Sequence, residues 1–318
     1  MRNRFAAELT AMADGDDRVV LLSGDIGNRL FDAFKERHGE RFLNCGVAEA
    51  NMMGVAAGMA MSGLRPFVYT ITPFVTTRCL EQIRVDVCYH HVPVTIVGVG
   101  GGLSYAGLGA THHSCEDIAF LRALPGMTVV CPADTHEVGG AMRASLEQEG
   151  PVYIRLGKKG EPMVHDSAPR FELGKALTVR EGDTVTVLAT GNVVPMAVEA
   201  ADLLEAAGVS TRVVSFHTVK PLDAQMLADA LWASSVVVTF EEHSLIGGLG
   251  SAVAEWLADH GPAPASLVRI GTRDEFLHES GGQGHAREHF GLTPEVVASR
   301  TLAALGTASV PPLRSAAG

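Results

Sequence analysis

Short apolar runs alternate with longer Ala-rich stretches along the first half of the chain. Five runs rich in β-branched residues predict strands, over residues 18–25, 65–71, 92–100, 127–133 and 151–157. The stretches between them predict helices, over residues 49–62, 77–89, 115–123 and 135–148. Continuous apolar strands separated by helices are typical of a parallel sheet that is covered on both faces.

The alternation stops once and then resumes. Residues 157–175, with the sequence GKKGEPMVHDSAPRFELGK, combine Gly, Pro and charge in a way that is typical of a linker. Further strands are predicted over residues 184–190, 210–216, 235–242 and 266–271, and helices over 195–207, 223–231, 249–259 and 294–305. We therefore predict an α/β protein of two tandem three-layer α/β/α domains, each with a mainly parallel sheet. Its predicted parts are a first domain, a linker and a second domain, over residues 1–160, 161–175 and 176–318.

Composition and charge narrow the class of protein. A chain of 318 residues is longer than one typical core requires, which agrees with two domains. The formal charge of −11 argues against nucleic acid as a partner, because a phosphate backbone calls for a basic surface. The five cysteines are odd in number and never form a CxxC pair, and the amino terminus has no apolar signal core. We therefore expect a cytoplasmic protein with reduced thiols.

One carboxylate stands alone in an apolar stretch. Between Leu43 and Leu64 the only ionisable side chains are Cys45 and Glu49, among Ala, Met, Gly and Val. Polar residues and glycines interrupt the stretch, so a helix buried in a protein core is expected rather than a membrane span. A buried carboxylate must protonate or find a partner, and the sequence offers no obvious partner within the chain. The alternative is that Glu49 only caps the start of the helix.

Polar and ionisable side chains are concentrated in another segment, residues 109–134, with the sequence GATHHSCEDIAFLRALPGMTVVCPAD. This segment places His112 and His113 side by side, followed by Cys115 and Glu116. Sequence neighbours point apart, and no second ligand pair sits at helical spacing, so a metal site is not predicted. Either imidazole is a candidate for proton transfer or for a hydrogen bond to a substrate near neutral pH. The plain alternative is a polar loop that caps the following helix.

Two glycine-rich segments do not fit dinucleotide-binding loops. In IVGVGGGLSYAGLG, Leu103 stands where the GxGxxG pattern needs its third glycine, and no helix is predicted directly after it. The segment IGGLGSAV, residues 246–253, enters a predicted helix but also lacks the GxGxxG spacing. Both segments are interpreted as tight loops.

Several spaced motifs, taken together, resemble one family. In chain order they are SGDIG, NCGVAEANMMGVAAGMAMSGLRPFV, LEQIRVDV, GLGATHHSCEDIAFLRALPGMTVVCPAD and FEEHSLIGGLGSAV. The chain resembles the transketolase family, specifically its pyrimidine-binding and C-terminal domains. The diphosphate-binding domain of that family carries a GDG motif, whereas residues 24–27 here read GDIG. The resemblance therefore implies one subunit of a split transketolase, with no metal ligands of its own.

The resemblance assigns cofactor contacts to four residues. Glu49 matches the family glutamate that pairs with N1′ of the thiamine aminopyrimidine and so promotes removal of the thiazolium C2 proton. Phe74 matches the aromatic residue that stacks on the aminopyrimidine, although a register shifted by one residue would place Val75 there. Asp25 matches an acid that faces the cofactor, with Ile26 beside it. Asp25 could equally stabilise the junction between strand and loop.

The resemblance also suggests substrate contacts. His112 matches the family histidine that contacts substrate hydroxyls and assists proton transfer, and His113 is a second candidate. Three basic residues align with, or lie close to, family positions near the substrate phosphate, with solvated surface as the alternative: Arg2, Arg29 and Lys158. Two departures from the family leave the sugar-phosphate acceptor open. Leu108 stands where many relatives have Asp, and the run 100–102 stands where they have a histidine.

The activity implied by the resemblance is transfer of a two-carbon ketol unit from a ketose to an aldehyde, with thiamine diphosphate as cofactor. A separate partner subunit would hold most of the diphosphate and its Mg²⁺, in an α2β2 assembly. Two alternatives within the superfamily are the β subunit of a 2-oxo acid dehydrogenase and a deoxyxylulose-phosphate-synthase-like enzyme. A further alternative is a regulatory subunit that has lost catalysis. The donor and the acceptor are not predicted.

Overall fold

The computed structural model describes residues 1–27 and 29–306. All five strands predicted for the first half are present, with ends shifted by at most three residues. The elements of this half are α1 (Arg2–Gly15), β1 (Val19–Ser23), α2 (Asp32–His38), β2 (Phe42–Asn44), α3 (Glu49–Met61), β3 (Arg65–Ile71), α4 (Thr72–Val75), α5 (Leu80–Gln82), β4 (Thr95–Val99), α6 (Asp117–Ala123), β5 (Thr128–Val130), α7 (Thr135–Leu146) and β6 (Val152–Leu156).

The second half repeats the alternation of strand and helix, as predicted. Its elements are β7 (Leu177–Arg180), β8 (Val185–Thr190), α8 (Val194–Ala206), β9 (Thr211–Ser215), β10 (Thr218–Lys220), α9 (Ala224–Ala233), β11 (Val236–Ser244), α10 (Leu249–His260), β12 (Ser266–Thr272), α11 (Gln283–Phe290) and α12 (Pro294–Ala304). The last residues of the predicted second domain, 307–318, lie outside the described residues.

The strands form two sheets. The first has seven strands in the order β10-β5-β6-β4-β3-β1-β2, and the second has five in the order β12-β11-β8-β9-β7. Every pairing is parallel except at one edge of each sheet, where β10 runs antiparallel to β5 and β7 runs antiparallel to β9. The predicted fold class, two α/β units with mainly parallel sheets, is confirmed.

Both faces of the first sheet are covered, as its continuous apolar strands predict. In β1, Val20 and Leu22 pack with α3 on one face, while Val19 and Leu21 pack with α1 on the other. All five residues of β1 are buried, so neither face of this strand meets solvent. This two-sided burial makes a three-layer unit.

One predicted helix is wrong in kind, and several elements were not predicted. The predicted helix over 77–89 consists of a 3₁₀ turn (Thr77–Cys79), α5 and a π-helical turn (Ile83–Tyr89). Its apolar positions fit a 3.6-residue period equally well, so the sequence pattern does not distinguish the two. The elements without a sequence prediction are α1, α2, α4, α11, β2, β7 and β10.

The segment between β6 and β7 has no helix or strand, as expected of the predicted linker. It is nevertheless fixed to the first half of the chain. The backbone N–H groups of Val164 and His165 donate to Oδ2 of Asp134 at 3.1 Å, and His165 Nε2 lies 2.9 Å from Glu137 Oε1. The domain limits at residues 160 and 176 stay predictions.

The strand β10 belongs to the second half by sequence but joins the sheet of the first. It pairs with β5, with Thr218 opposite Val130 and Lys220 opposite Val129. The ammonium group of Lys220 donates to the carbonyl oxygen of Arg122 at 2.9 Å, just beyond this edge. The two halves are therefore joined by shared backbone hydrogen bonds.

Two further expectations can be checked against the described residues. Within 1–27 and 29–306, none of the helices has both the length and the apolar character to cross a membrane. All five cysteines are free thiols; Cys45 is half-buried and the other four are buried.

Candidate active site

The loops that follow β1, β3 and β4 meet at one edge of the first sheet, because the carboxyl ends of parallel strands lie together. The loop after β1 carries Asp25 and Ile26, and α4 after β3 carries Phe74. The loop after β4 runs over residues 100–116 and carries the two histidines. Glu49 reaches the same edge as the first residue of α3.

Glu49 has a partner that the sequence did not reveal. Its side chain is 2% exposed, and both carboxylate oxygens accept hydrogen bonds from Nη1 of Arg78, at 3.0 and 2.9 Å. The cap position of α3 is Ala48, and no side chain caps this helix. The alternative of Glu49 as a mere cap is therefore wrong: its carboxylate is directed at Arg78. The positive end of the helix dipole also favours a carboxylate there.

A chain of ring contacts extends from this ion pair. The guanidinium carbon of Arg78 lies 4.1 Å from the ring centre of Phe74. That ring meets His112 edge-on at 5.2 Å between centroids, and Tyr105 contacts the same imidazole at 6.1 Å between centroids. Lys158 Nζ lies 4.5 Å from the Tyr105 ring. The sequence-predicted residues Glu49, Phe74, His112 and Lys158 are therefore brought together through Arg78 and Tyr105.

Phe74, and not Val75, lies at this site. Phe74 is partly exposed and contacts both Arg78 and His112, whereas Val75 is completely buried in the core. The alternative match to the family, shifted by one residue, would have needed Val75 to lie at the site instead of in the core.

His112 is held in its neutral form. Burial lowers its pKa, and the neighbouring charges of His113 and Arg78 lower it further. A hydrogen bond of 2.9 Å joins its Nδ1 to the hydroxyl of Thr111. A neutral imidazole at pH 7 is free to accept or to donate a proton. The adjacent histidine is engaged elsewhere: His113 Nε2 bonds to the carbonyl oxygen of Ala106 at 3.0 Å.

The loop after β1 is tightly turned. Asp25 has a positive φ of 57°, which is uncommon outside glycine, and its Oδ1 accepts a hydrogen bond from Asn44 at 2.9 Å. The carbonyl oxygen of Ile26 accepts a hydrogen bond from the Ser23 hydroxyl at 2.8 Å. The carboxylate of Asp25 is exposed, so it both stabilises the junction with β2 and remains accessible.

The three candidate basic residues fall in two places. Arg2 and Lys158 line one cavity of about 270 Å³, at the start of α1 and after β6. Arg29 lines a different groove, between α1 and α2. In the run 100–102, Gly100 is covered by Tyr105, because a Cβ there would lie 2.0 Å from the ring.

Exposed apolar side chains border one side of the site. Val47, two residues before Glu49, is 74% exposed, and Leu108 is 56% exposed. Within the described residues, no group of three or more His, Cys, Asp or Glu could hold a metal ion. The site thus offers a buried acceptor, an aromatic face and a neutral imidazole beside an apolar open surface. This donor set suits a flat heteroaromatic ring better than a cation.

The family is shown by the match of both halves to family models. Residues 1–162 match the transketolase pyrimidine-binding domain, and residues 174–297 match the transketolase C-terminal domain. The chain belongs to the transketolase family, and the resemblance seen in the motifs is confirmed.

Close relatives are separate subunits of comparable length. The chain is 39% identical over 298 residues to the 6-deoxy-6-sulfo-D-fructose transketolase subunit SqwH of Clostridium sp. (strain MSTE9), covering 93% of this chain and 92% of the relative. It is 35% identical over 303 residues to an apulose-4-phosphate transketolase subunit of Phocaeicola vulgatus, covering 95% and 96%. A solved split gene transketolase, described as an inactive β4 tetramer, superposes with a TM-score of 0.87 at 37% identity, covering 96% and 97%.

Proposed function

We propose that the chain is the pyrimidine-binding subunit of a thiamine-diphosphate-dependent transketolase. It would transfer a two-carbon ketol unit from a ketose to an aldehyde acceptor. The observation that carries this proposal is the buried carboxylate of Glu49, placed beside Phe74 and His112 at the open edge of the sheet. Two relatives that match nearly the whole chain are named as transketolase subunits.

The residues present fit one end of thiamine diphosphate. Glu49 would hold a proton at N1′ of the aminopyrimidine, Phe74 would stack on that ring, and Asp25 with Ile26 would border it. When bound, the cofactor supplies the nucleophilic carbon that carries the ketol fragment. The protein's part is to orient the ring and to exclude water around Glu49. A carboxylate in a buried setting interacts strongly with such a proton, because few other groups screen it.

His112 would move a proton at a substrate hydroxyl. Its lowered pKa keeps it neutral at pH 7, so it is ready to accept a proton as the substrate bond breaks. His113, bonded to the backbone, would have a smaller share in binding. Lys158 and Arg2 line the cavity next to Tyr105 and would receive an anionic end of the sugar, with Arg29 farther away.

A second chain would complete the enzyme. We propose that a diphosphate-binding subunit supplies the diphosphate site and the Mg²⁺ ligands, and that two copies of each chain form an α2β2 assembly. The exposed apolar residues Val47 and Leu108 beside the site support an interface there. The solved relative described as an inactive β4 tetramer supports the idea that such a subunit alone is not active. Free thiols support a location in the reducing cytoplasm.

The test is reconstitution. This chain is expressed with a candidate diphosphate-binding subunit from the same genome, and ketol transfer is followed by mass spectrometry with thiamine diphosphate and Mg²⁺. We expect activity from the two chains together and none from either alone. Glu49→Gln should lose nearly all activity, whereas the exposed control Glu199→Gln on α8 should keep it.

Each contrary outcome has a distinct meaning. Full activity of this chain alone would overturn the split-subunit proposal, and normal turnover by Glu49→Gln would remove the role of Glu49. Carbon dioxide released from a 2-oxo acid would indicate the dehydrogenase or synthase alternative. A reconstituted complex without any activity or cofactor binding would indicate the regulatory alternative.

A further inference from the structure

Arg78 is hydrogen-bonded to the carboxylate of Glu49, the group to which the aminopyrimidine of the cofactor would bind. Among the described residues it is the only one whose side chain hydrogen-bonds the Glu49 carboxylate, and a single nitrogen, Nη1, contacts both oxygens. A carboxylate has about four acceptor positions, but the Glu49 side chain is only 2% exposed while Arg78 is in place, so little of its surface is left for a second partner. A ring nitrogen that approaches Glu49 from the open side must therefore displace Arg78 from at least one oxygen.

The two members of the pair are buried very unequally. The Glu49 side chain is 2% exposed, whereas that of Arg78 is 45% exposed. Among the described residues, the further contact of the guanidinium is the face of Phe74 at 4.1 Å. Arg78 can consequently swing into solvent without leaving a cavity in the core, whereas Glu49 cannot move away.

We propose that Arg78 is a reversible cap on Glu49, which compensates the buried charge in the free subunit and yields to the aminopyrimidine when the complex loads its cofactor. This inference rests on the proposed function. Arg78 is a positioning residue in this scheme, since it acts through Glu49. In the free chain it stabilises the fold, because an unpaired buried carboxylate is costly. In the complex it opposes cofactor binding, because its hydrogen bonds must be broken first.

The decisive measurement is the affinity of the assembled two-subunit complex for thiamine diphosphate with Mg²⁺, by titration calorimetry. A half-exposed ion pair contributes up to about 1 kcal/mol, so Arg78→Met should lower the Kd by roughly threefold to fivefold. Arg78→Lys should fall between that variant and the wild type. The matched control is Arg84→Met, an exposed arginine on the adjoining π-helical turn, which should keep the wild-type Kd.

The outcomes separate this inference from the proposed function. If the wild-type complex does not bind the cofactor, the proposed function fails, and the exchange between Arg78 and cofactor fails with it. If the wild type binds and Arg78→Met binds equally or more weakly, only the cap is overturned. If Arg78 contacted the cofactor or merely supported the fold, Arg78→Met would not be expected to bind the cofactor more tightly.

Thermal unfolding of the free chain tests the other half of the inference. Arg78→Met should melt a few degrees lower than the wild type at pH 7.5, because the buried Glu49 carboxylate loses its partner. The double variant Glu49→Gln with Arg78→Met should remove the deficit. A deficit that persists in the double variant would contradict the cap.

Discussion

Two arginine–carboxylate pairs in the first half of the chain contain the same groups in opposite surroundings. Asp117 and Arg155 are 0% and 3% exposed, and their contact of 2.8 Å is closed on every side. Tyr153 donates a further hydrogen bond to Asp117, and Arg155 also donates to the carbonyl oxygens of Ser114 and Glu242. In the pair of Glu49 and Arg78, only the carboxylate is buried. The closed pair can serve the fold alone, whereas the one-sided pair is available to a ligand.

The buried hydrogen-bond network around Asp117 and Arg155, called the closed region below, continues into the second half of the chain. The carboxylate of Glu242 accepts hydrogen bonds from the backbone N–H of Leu103 at 2.8 Å and from Asn192, Gln283 and Arg287. Leu103 lies near the start of the loop that carries His112. The second half therefore fixes the base of a loop that belongs to the candidate active site of the first. The open region is the pair of Glu49 and Arg78 with Phe74. Among the described residues, it has no comparable hydrogen-bond network around Arg78.

The largest expected loss of stability comes from removing one partner of the closed pair. Arg155→Met should lower the free energy of unfolding by about 3–5 kcal/mol, because it leaves the buried Asp117 carboxylate uncompensated. Urea unfolding of the free chain measures it. The control Arg143→Met removes an exposed partner of Glu8 and should cost less than about 1 kcal/mol. Equal effects in the two variants would show that burial does not distinguish these pairs.

A smaller effect is expected where the loop meets Glu242. Gly102 has φ of +65°, and an added Cβ would lie 2.6 Å from the backbone oxygen of Glu242. Gly102→Ala should cost about 2–4 kcal/mol, from the left-handed backbone and the collision together. Gly291→Ala, at the end of α11, has a similar φ of +69° and meets only ordinary contacts from 3.5 Å outward, so it measures the backbone part alone, about 1–2 kcal/mol. Equal losses would remove the collision as a cause.

The closed region should also show in the pH dependence of stability. Burial raises the pKa of Glu241 to about 7 and lowers the pKa of His243 to about 4. As the pH falls from 6.5 to 4.5, the folded protein takes up a proton on Glu241, which stabilises it, but excludes one from His243, which destabilises it. Glu241→Gln removes only the stabilising part. We expect it to lose roughly 2–3 kcal/mol more than the wild type over this range, by urea unfolding.

If the free energy of unfolding changed with pH equally in Glu241→Gln and the wild type, the raised pKa of Glu241 would be contradicted. Glu199→Gln, exposed on α8, is the control and should follow the wild type throughout.

The smallest expected effect concerns the open region. Phe74→Leu should destabilise the free chain in part by removing the ring beneath Arg78, a contribution of about 0.5–1 kcal/mol. A double-mutant cycle with Arg78→Met isolates this coupling from the change in packing. A coupling of zero would mean that Phe74 does not support the guanidinium.

The sequence was sufficient for the fold class because most strands are buried on both faces and read as uninterrupted apolar runs, whereas the edge strands β2, β7 and β10 were not predicted. Glu49 and His112 could be singled out because one stands alone among apolar residues and the other stands in a polar loop. Arg78 could not, because its partner is 29 residues away in the chain and nothing in the surrounding pattern marks it. Tyr105 was missed for a similar reason, since a ring that covers Gly100 has no periodic signal. Contacts between the halves, such as the hydrogen bond from Leu103 to Glu242, depend on the assembled fold.

The strand β10 limits how this chain can be divided. A cut within the segment between β6 and β7 would leave the first half without Thr218–Lys220, so the edge of β5 would carry unpaired backbone groups beside Val129 and Val130. Such an edge invites association with other strands. Separate expression of the two halves should thus give an aggregation-prone fragment, although each half resembles a domain. For experiments that exchange domains between related subunits, the unit to move is the first half together with β10.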